Sequence, residues 1–261
     1  KLINRPVRRV FTFGCSFSEE FSVLLPRTSP NTRVDYIEQY FNGVAPDSWP
    51  TMLSKKLGFD IKNYSGNGGY KDPINNIGEG NCNQSVLNNI AYYCNQFKKG
   101  DIVIVEWTYI ERFKWANETG KSMISVYPAF VPGTGIPDYP DYIDNNTAEN
   151  IFVNRTNPLW INELFIQQKL LNQFADNTGF NIFYWTVDNN IVNYKNKEIK
   201  NDKKYLLSDT LGERDYMNLF KEEGVKTIIE ETNEKVRDWH YGVTGHQIQC
   251  DLFYNYIIKN I

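Results

Sequence analysis

Apolar positions come in two textures along the chain. Short continuous runs, Val10-Phe11-Thr12-Phe13 and Ile102-Val103-Ile104-Val105 ahead of Glu106-Trp107, together with Phe180 to Val187, read as strands buried on both faces. A shorter strand is expected over Phe59 to Tyr64. Between these runs the spacing becomes helical. Met52, Leu53 and Leu57 follow Asp47-Ser48-Trp49-Pro50, where Asp47 or Ser48 is the expected N-cap, Pro50 falls in the first turn and Gly58 ends the helix. Val86, Leu87, Ile90, Tyr93 and Cys94 share one face of a helix expected from about Cys82 to Phe97. Pro158 opens another, with Ile161, Leu164, Phe165, Leu171 and Phe174 as its stripe and Gly179 as its stop. A last helix is expected from about Thr244 to Lys259. Strands alternating with helices predict an α/β fold, a three-layer α/β/α sandwich around a central parallel sheet, with residues 1–261 as a single domain.

Two stretches break the pattern. From about residue 113 to 157 the chain is punctuated by Pro128, Pro132, Gly133, Gly135, Pro137 and Pro140, with Tyr127, Phe130, Tyr139 and Tyr142 interleaved. Such a length without periodicity predicts an ordered insertion with a task, either a lid or wall in which Tyr127, Tyr139 and Tyr142 present rings to a substrate or a loop whose rings only pack it onto the body. Residues 194 to 204 form a charged, Lys-rich excursion.

Composition narrows the partners. With 41% hydrophobic and 23% charged residues and a net charge of -3, the chain reads as a soluble globular protein without the basic surplus that nucleic acid demands. No apolar run approaches the roughly 20 residues needed to span a bilayer, and Lys1 precedes no signal-like core, which slightly favours the cytoplasm. The four cysteines form no CxxC pair and no metal-ligand spacing, so neither a metal nor a cofactor is expected, and a reduced compartment suits them.

Candidate chemistry begins where the first strand meets Gly14-Cys15-Ser16. A tight turn there leaves Ser16 at the carboxyl edge of the sheet, where open α/β sheets place their sites. Both histidines lie in Arg237-Asp238-Trp239-His240-Tyr241-Gly242-Val243-Thr244-Gly245-His246. His240 is the candidate general base, with Asp238 to hold one ring nitrogen and fix the tautomer. His246, near the start of the last helix, is expected to pack or cap. Gly66-Asn67-Gly68-Gly69 lacks the spacing of a nucleotide-binding loop, and a Cys15 nucleophile is disfavoured by its place one position off the turn.

These blocks resemble the SGNH or GDSL-type hydrolases. Gly14-Cys15-Ser16 stands where that family has Gly-Asp-Ser, Asn63-Tyr64-Ser65-Gly66-Asn67-Gly68 matches its Gly-bearing second block, and His240 to Gly245 keeps the spacing of the last block. The resemblance implies a flavodoxin-like sandwich and a cofactor-free ester hydrolase or acyltransferase with Ser16 as nucleophile and His240 and Asp238 as its partners. It also implies an oxyanion hole from the N–H groups of Ser16 and Gly68. Three departures stand out. Cys15 replaces the family's Asp, Asp238 lies two rather than three residues before His240, and the third block's Asn is missing, so the Thr108 hydroxyl is expected in its place. The aromatic insertion favours an acetylated carbohydrate as substrate. A glycan-binding module without turnover is the alternative.

Overall fold

The computed structural model describes residues 8–24, 32–66, 82–110, 113–116, 123–126 and 158–261. Among these, the strands are β1 (Arg9–Phe13), β2 (Asp60–Asn63), β3 (Ile102–Trp107), β4 (Phe113–Ala116), β5 (Met123–Val126) and β6 (Asn181–Thr186). The helices are α1 (Thr32–Phe41), α2 (Trp49–Leu57), α3 (Asn83–Tyr93), α4 (Pro158–Thr178), α5 (Asn189–Tyr194), α6 (Asn196–Asn201), α7 (Ser208–Leu211), α8 (Tyr216–Glu222), α9 (Ile228–Glu231) and α10 (Val243–Asn260).

Four strands form an all-parallel sheet in the order β2-β1-β3-β6. All six residues of β3 are buried, as a central strand covered on both faces requires. Side-chain alternation then sorts the aromatic residues. Phe11 and Phe13 face one layer, where they meet Phe97 at 4.9 and 6.0 Å and where Trp107 stacks on Tyr184 and donates to Gln168 of α4. Trp185 points the other way, into a cluster with Trp49 of α2, Phe220 of α8 and Phe253 of α10. Helices thus cover both faces of the sheet, the three-layer α/β/α arrangement. Each fully buried aromatic side chain contributes about 1.5–3 kcal/mol, and many of the large ones gather on or against β6.

Local chemistry modifies three sequence expectations. Ser48 occupies the N-cap position of α2 in extended backbone but makes no capping bond, and Asp47 pairs with exposed Lys55. His246 of α10 serves α2 instead, its Nδ1 accepting the Trp49 N–H at 3.2 Å. The stretch expected as an ordered insertion contains the antiparallel pair β4-β5, whose strands are too short for a distinct pattern. Tyr127, Tyr139 and Tyr142 lie outside the described residues. The Lys-rich excursion is largely α6, reached from the end of α5 at Tyr194, and α7 to α9 are single turns or little more, lengths at which no period can show itself.

Candidate active site

The continuation of β1 builds the Ser16 side of the site. Register places Phe13 opposite Val105, so one step further Gly14 lies beside Glu106 on the same face of the sheet. A Cβ on Gly14 would stand 2.4 Å from Glu106 Oε2, which is why only glycine fits. The chain then turns, the Ser18 N–H donating to the Cys15 carbonyl at 3.1 Å, and Ser16 and Phe17 form the corner. Phe17 is buried against the His240 and Tyr241 rings and its carbonyl accepts the Trp49 indole N–H, leaving Ser16 as the corner residue with exposed surface.

Struts hold this turn from several sides. The Arg33 guanidinium donates to the Ser16 carbonyl at 3.3 Å and pairs with Glu19 at 3.0 Å. Asn63, the last residue of β2, donates to the Ser18 carbonyl at 2.8 Å. Beyond it the Gly66 N–H bonds the Gly14 carbonyl at 2.9 Å, prolonging the pairing of β1 and β2 into the site. Gly66 has a left-handed φ of 60° and lies so close to Glu19 that a Cβ would approach its side chain to 2.6 Å.

Asp238 and His240 arrive from the segment between α9 and α10. The Ser16 hydroxyl lies 2.7 Å from His240 Nε2, and His240 Nδ1 lies 2.6 Å from Asp238 Oδ1. Asp238 Oδ1 also accepts the backbone N–H of His240 at 2.8 Å. This local turn lets an Asp only two residues away reach the ring, which explains how the shortened spacing still closes. Hydrogen-bond complementarity assigns the tautomer: Nδ1–H donates to the carboxylate and Nε2 accepts from Ser16. Asp238 is buried, with 6% of its side chain exposed, whereas His240 keeps 28% open to solvent. A base that must hand protons to a reactant needs such an opening.

The oxyanion side is described only in part. The Ser16 N–H has no acceptor among the described residues and remains available to a developing oxyanion. Gly68 lies outside the described residues. Thr108 is wholly buried, its N–H donating to Asn83 Oδ1 at 2.8 Å and its carbonyl accepting from Asn83 Nδ2 at 3.0 Å. Both backbone groups of Thr108, the residue expected to stand in for the missing Asn, are thus held by Asn83. The asparagine that the strand end lacks comes from α3, yet it serves the backbone of residue 108.

His246 is separated from this chemistry. It is buried, with the Phe21 ring 5.1 Å away, and burial, aided by Arg33 and then His240, pushes its pKa down to about 3. It is a neutral acceptor for the Trp49 N–H. Glu106, which sequence reasoning passed over, lies at the heart of the site: fully buried, it accepts the Cys15 N–H at 3.2 Å, the Cys15 thiol at 2.7 Å and the Ser18 hydroxyl at 2.6 Å. A carboxylate inside an otherwise apolar strand is the signal that could have found it, because such a group persists only where donors meet it.

No group of three or more His, Cys, Asp or Glu side chains among the described residues is placed to hold a metal ion. No helix among them is long and apolar enough to cross a membrane. The chain matches no family model, no curated protein and no solved structure, so its chemistry rests on the geometry of Ser16, His240 and Asp238.

Proposed function

We propose that the protein is a serine acyl-ester hydrolase or acyltransferase. One observation carries this reading: a Ser Oγ, a His ring and an Asp carboxylate stand in series at 2.7 and 2.6 Å although 224 positions separate Ser16 from His240. Ser16 Oγ attacks the acyl carbonyl while its proton passes to His240 Nε2, and Asp238 stabilises the imidazolium that forms. Expulsion of the alcohol takes that proton back, leaving an acyl-Ser16 ester. Water or an acceptor alcohol, deprotonated by His240, then releases the acyl group and restores Ser16. The Ser16 N–H supplies one oxyanion donor. The block resemblance to SGNH hydrolases supports the same assignment and suggests an acetylated carbohydrate as the ester.

The test is labelling of Ser16 by a fluorophosphonate, together with hydrolysis of p-nitrophenyl acetate and of acetylated oligosaccharides. Wild type should be labelled and active, and Ser16→Ala should be neither. Absence of labelling in folded wild type, with glycan binding intact, would replace the hydrolase by the binding-module reading.

A further inference from the structure

We infer that Glu106 is a positioning residue that staples the two ends of the Ser16 turn to the sheet, an inference that rests on the serine-nucleophile reading. The turn enters at Cys15 and leaves at Ser18. Donors at both ends converge on one carboxylate, the Cys15 N–H and the Ser18 hydroxyl on Oε2 and the Cys15 thiol on Oε1. The struts from Arg33 and Asn63 bind carbonyls of the same turn, at Ser16 and Ser18. Glu106 therefore supplies the acceptors and these two residues the donors, which together hold a four-residue turn from opposite kinds of group.

The location makes the staple specific to the nucleophile. Glu106 belongs to β3, the strand that pairs with β1 and fixes the height of the sheet edge, and it is fully buried. Gly14 yields the space its carboxylate needs, since a Cβ there would overlap Oε2 at 2.4 Å and Glu106 Cβ at 2.6 Å. Ser16 makes none of these contacts, so Glu106 neither touches the reacting atoms nor competes for the hydroxyl proton. It acts through the orientation of the corner. A displacement of about 1 Å in a reacting group costs on the order of 100-fold in rate, and the Ser16–His240 contact of 2.7 Å tolerates little rotation.

The inference also accounts for Cys15. A thiol is a neutral donor to the carboxylate, whereas Asp at this position would set two carboxylates at the 2.7 Å now spanned by the thiol contact. Cys15→Asp should therefore inactivate, and adding Glu106→Gln should recover part of the loss, because the charge is then carried once rather than twice.

The experiment measures kcat and KM for p-nitrophenyl acetate, the rate of fluorophosphonate labelling at Ser16, and folding by circular dichroism and Tm, for Glu106→Gln, Ser18→Ala, Ser18→Thr, Cys15→Asp and the double variant Cys15→Asp/Glu106→Gln. In folded Glu106→Gln, kcat and labelling rate should fall together by about 10–100-fold while KM stays within about twofold, the pattern of a misaimed nucleophile. Ser18→Ala should lose about 3–10-fold and Ser18→Thr, which keeps the hydroxyl, should recover it. Wild-type kcat and labelling in folded Glu106→Gln would overturn the inference, and so would a loss confined to KM. Should Glu106→Gln fail to fold, Ser18→Ala with unchanged kcat and labelling overturns it instead. Failure of the hydrolase reading is distinct, because wild type itself would then neither hydrolyse the ester nor take the label.

Discussion

Two regions six positions apart carry the chain's only histidines, and they are opposite environments built from the same side chain. At the sheet edge, His240 has a buried carboxylate on one nitrogen, a hydroxyl on the other and part of its ring in water. In the first turns of α10, His246 is enclosed by aromatic rings and accepts a single backbone N–H. The first arrangement stabilises a transient positive charge. The second forbids one. Whether a histidine is a base or a strut is thus decided by what lies beyond its two nitrogens, and neighbouring Trp239, Tyr241 and Gly242 do not tell the two apart.

The sharpest attempt to break this contrast is His240→Asn, which should abolish ester hydrolysis, a loss of about 10³-fold or more, with Tm nearly unchanged. Near wild-type kcat in the folded variant would return both histidines to the same standing. Asp238→Asn comes next. It leaves the local turn but offers the ring the wrong partner, and a loss of about 10²–10⁴-fold in kcat is expected, read by steady-state hydrolysis.

The third prediction concerns stability rather than rate. Between pH 6.5 and about 3 the unfolded chain protonates His246 while the folded chain does not, so stability falls as pH falls through this window. Going from pH 7 to pH 5, this residue alone should remove about 2 kcal/mol, and His246→Gln, which keeps an acceptor for Trp49, should be free of that part of the slope. Urea unfolding of both proteins at the two pH values measures it. Hydrolysis at pH 7 should stay within about twofold of wild type, and a large loss there would erase the distinction between the two histidines. The smallest effect is expected from Tyr36→Phe. The Tyr36 hydroxyl donates to Glu231 at 2.6 Å and accepts the Val243 N–H, and Glu231 in turn receives the Thr244 N–H at the start of α10. Its removal should cost about 1 kcal/mol of stability with kcat intact, seen as a lowered urea midpoint.

Legibility in the sequence follows the range of each interaction. The long helices are visible because their period repeats several times, the parallel strands because their apolar runs are continuous, and that of β3 announces a central strand directly. Ser16, His240 and Asp238 are nominated by local blocks, and the geometry brings those three together. The reach of Asp238 was obscured because spacing alone does not show a side chain folding back on the N–H two residues ahead. Glu106 is signalled by a carboxylate inside an apolar strand, but its role, like that of Asn83, is hidden for a different reason. Their partners lie far along the chain, at Cys15 and Ser18 for Glu106 and in the backbone of Thr108 for Asn83, so neither side chain shows in the sequence which donors or acceptors meet it. The service of His246 to Trp49 spans 197 residues and depends on two helices having already docked.

The 224-residue gap between Ser16 and His240 has a consequence during synthesis on the ribosome. Ser16 emerges with the first strand, whereas His240 is translated just ahead of the last helix, and a serine without its base is an ordinary alcohol. On the proposed hydrolase reading, a growing chain is inert toward esters, and reactivity switches on once, when α10 packs against α2 and delivers His240 to the sheet edge. Recovery of fluorophosphonate labelling during refolding should accordingly coincide with the slowest phase of compaction and never precede it, which makes Ser16 a reporter of the finished fold.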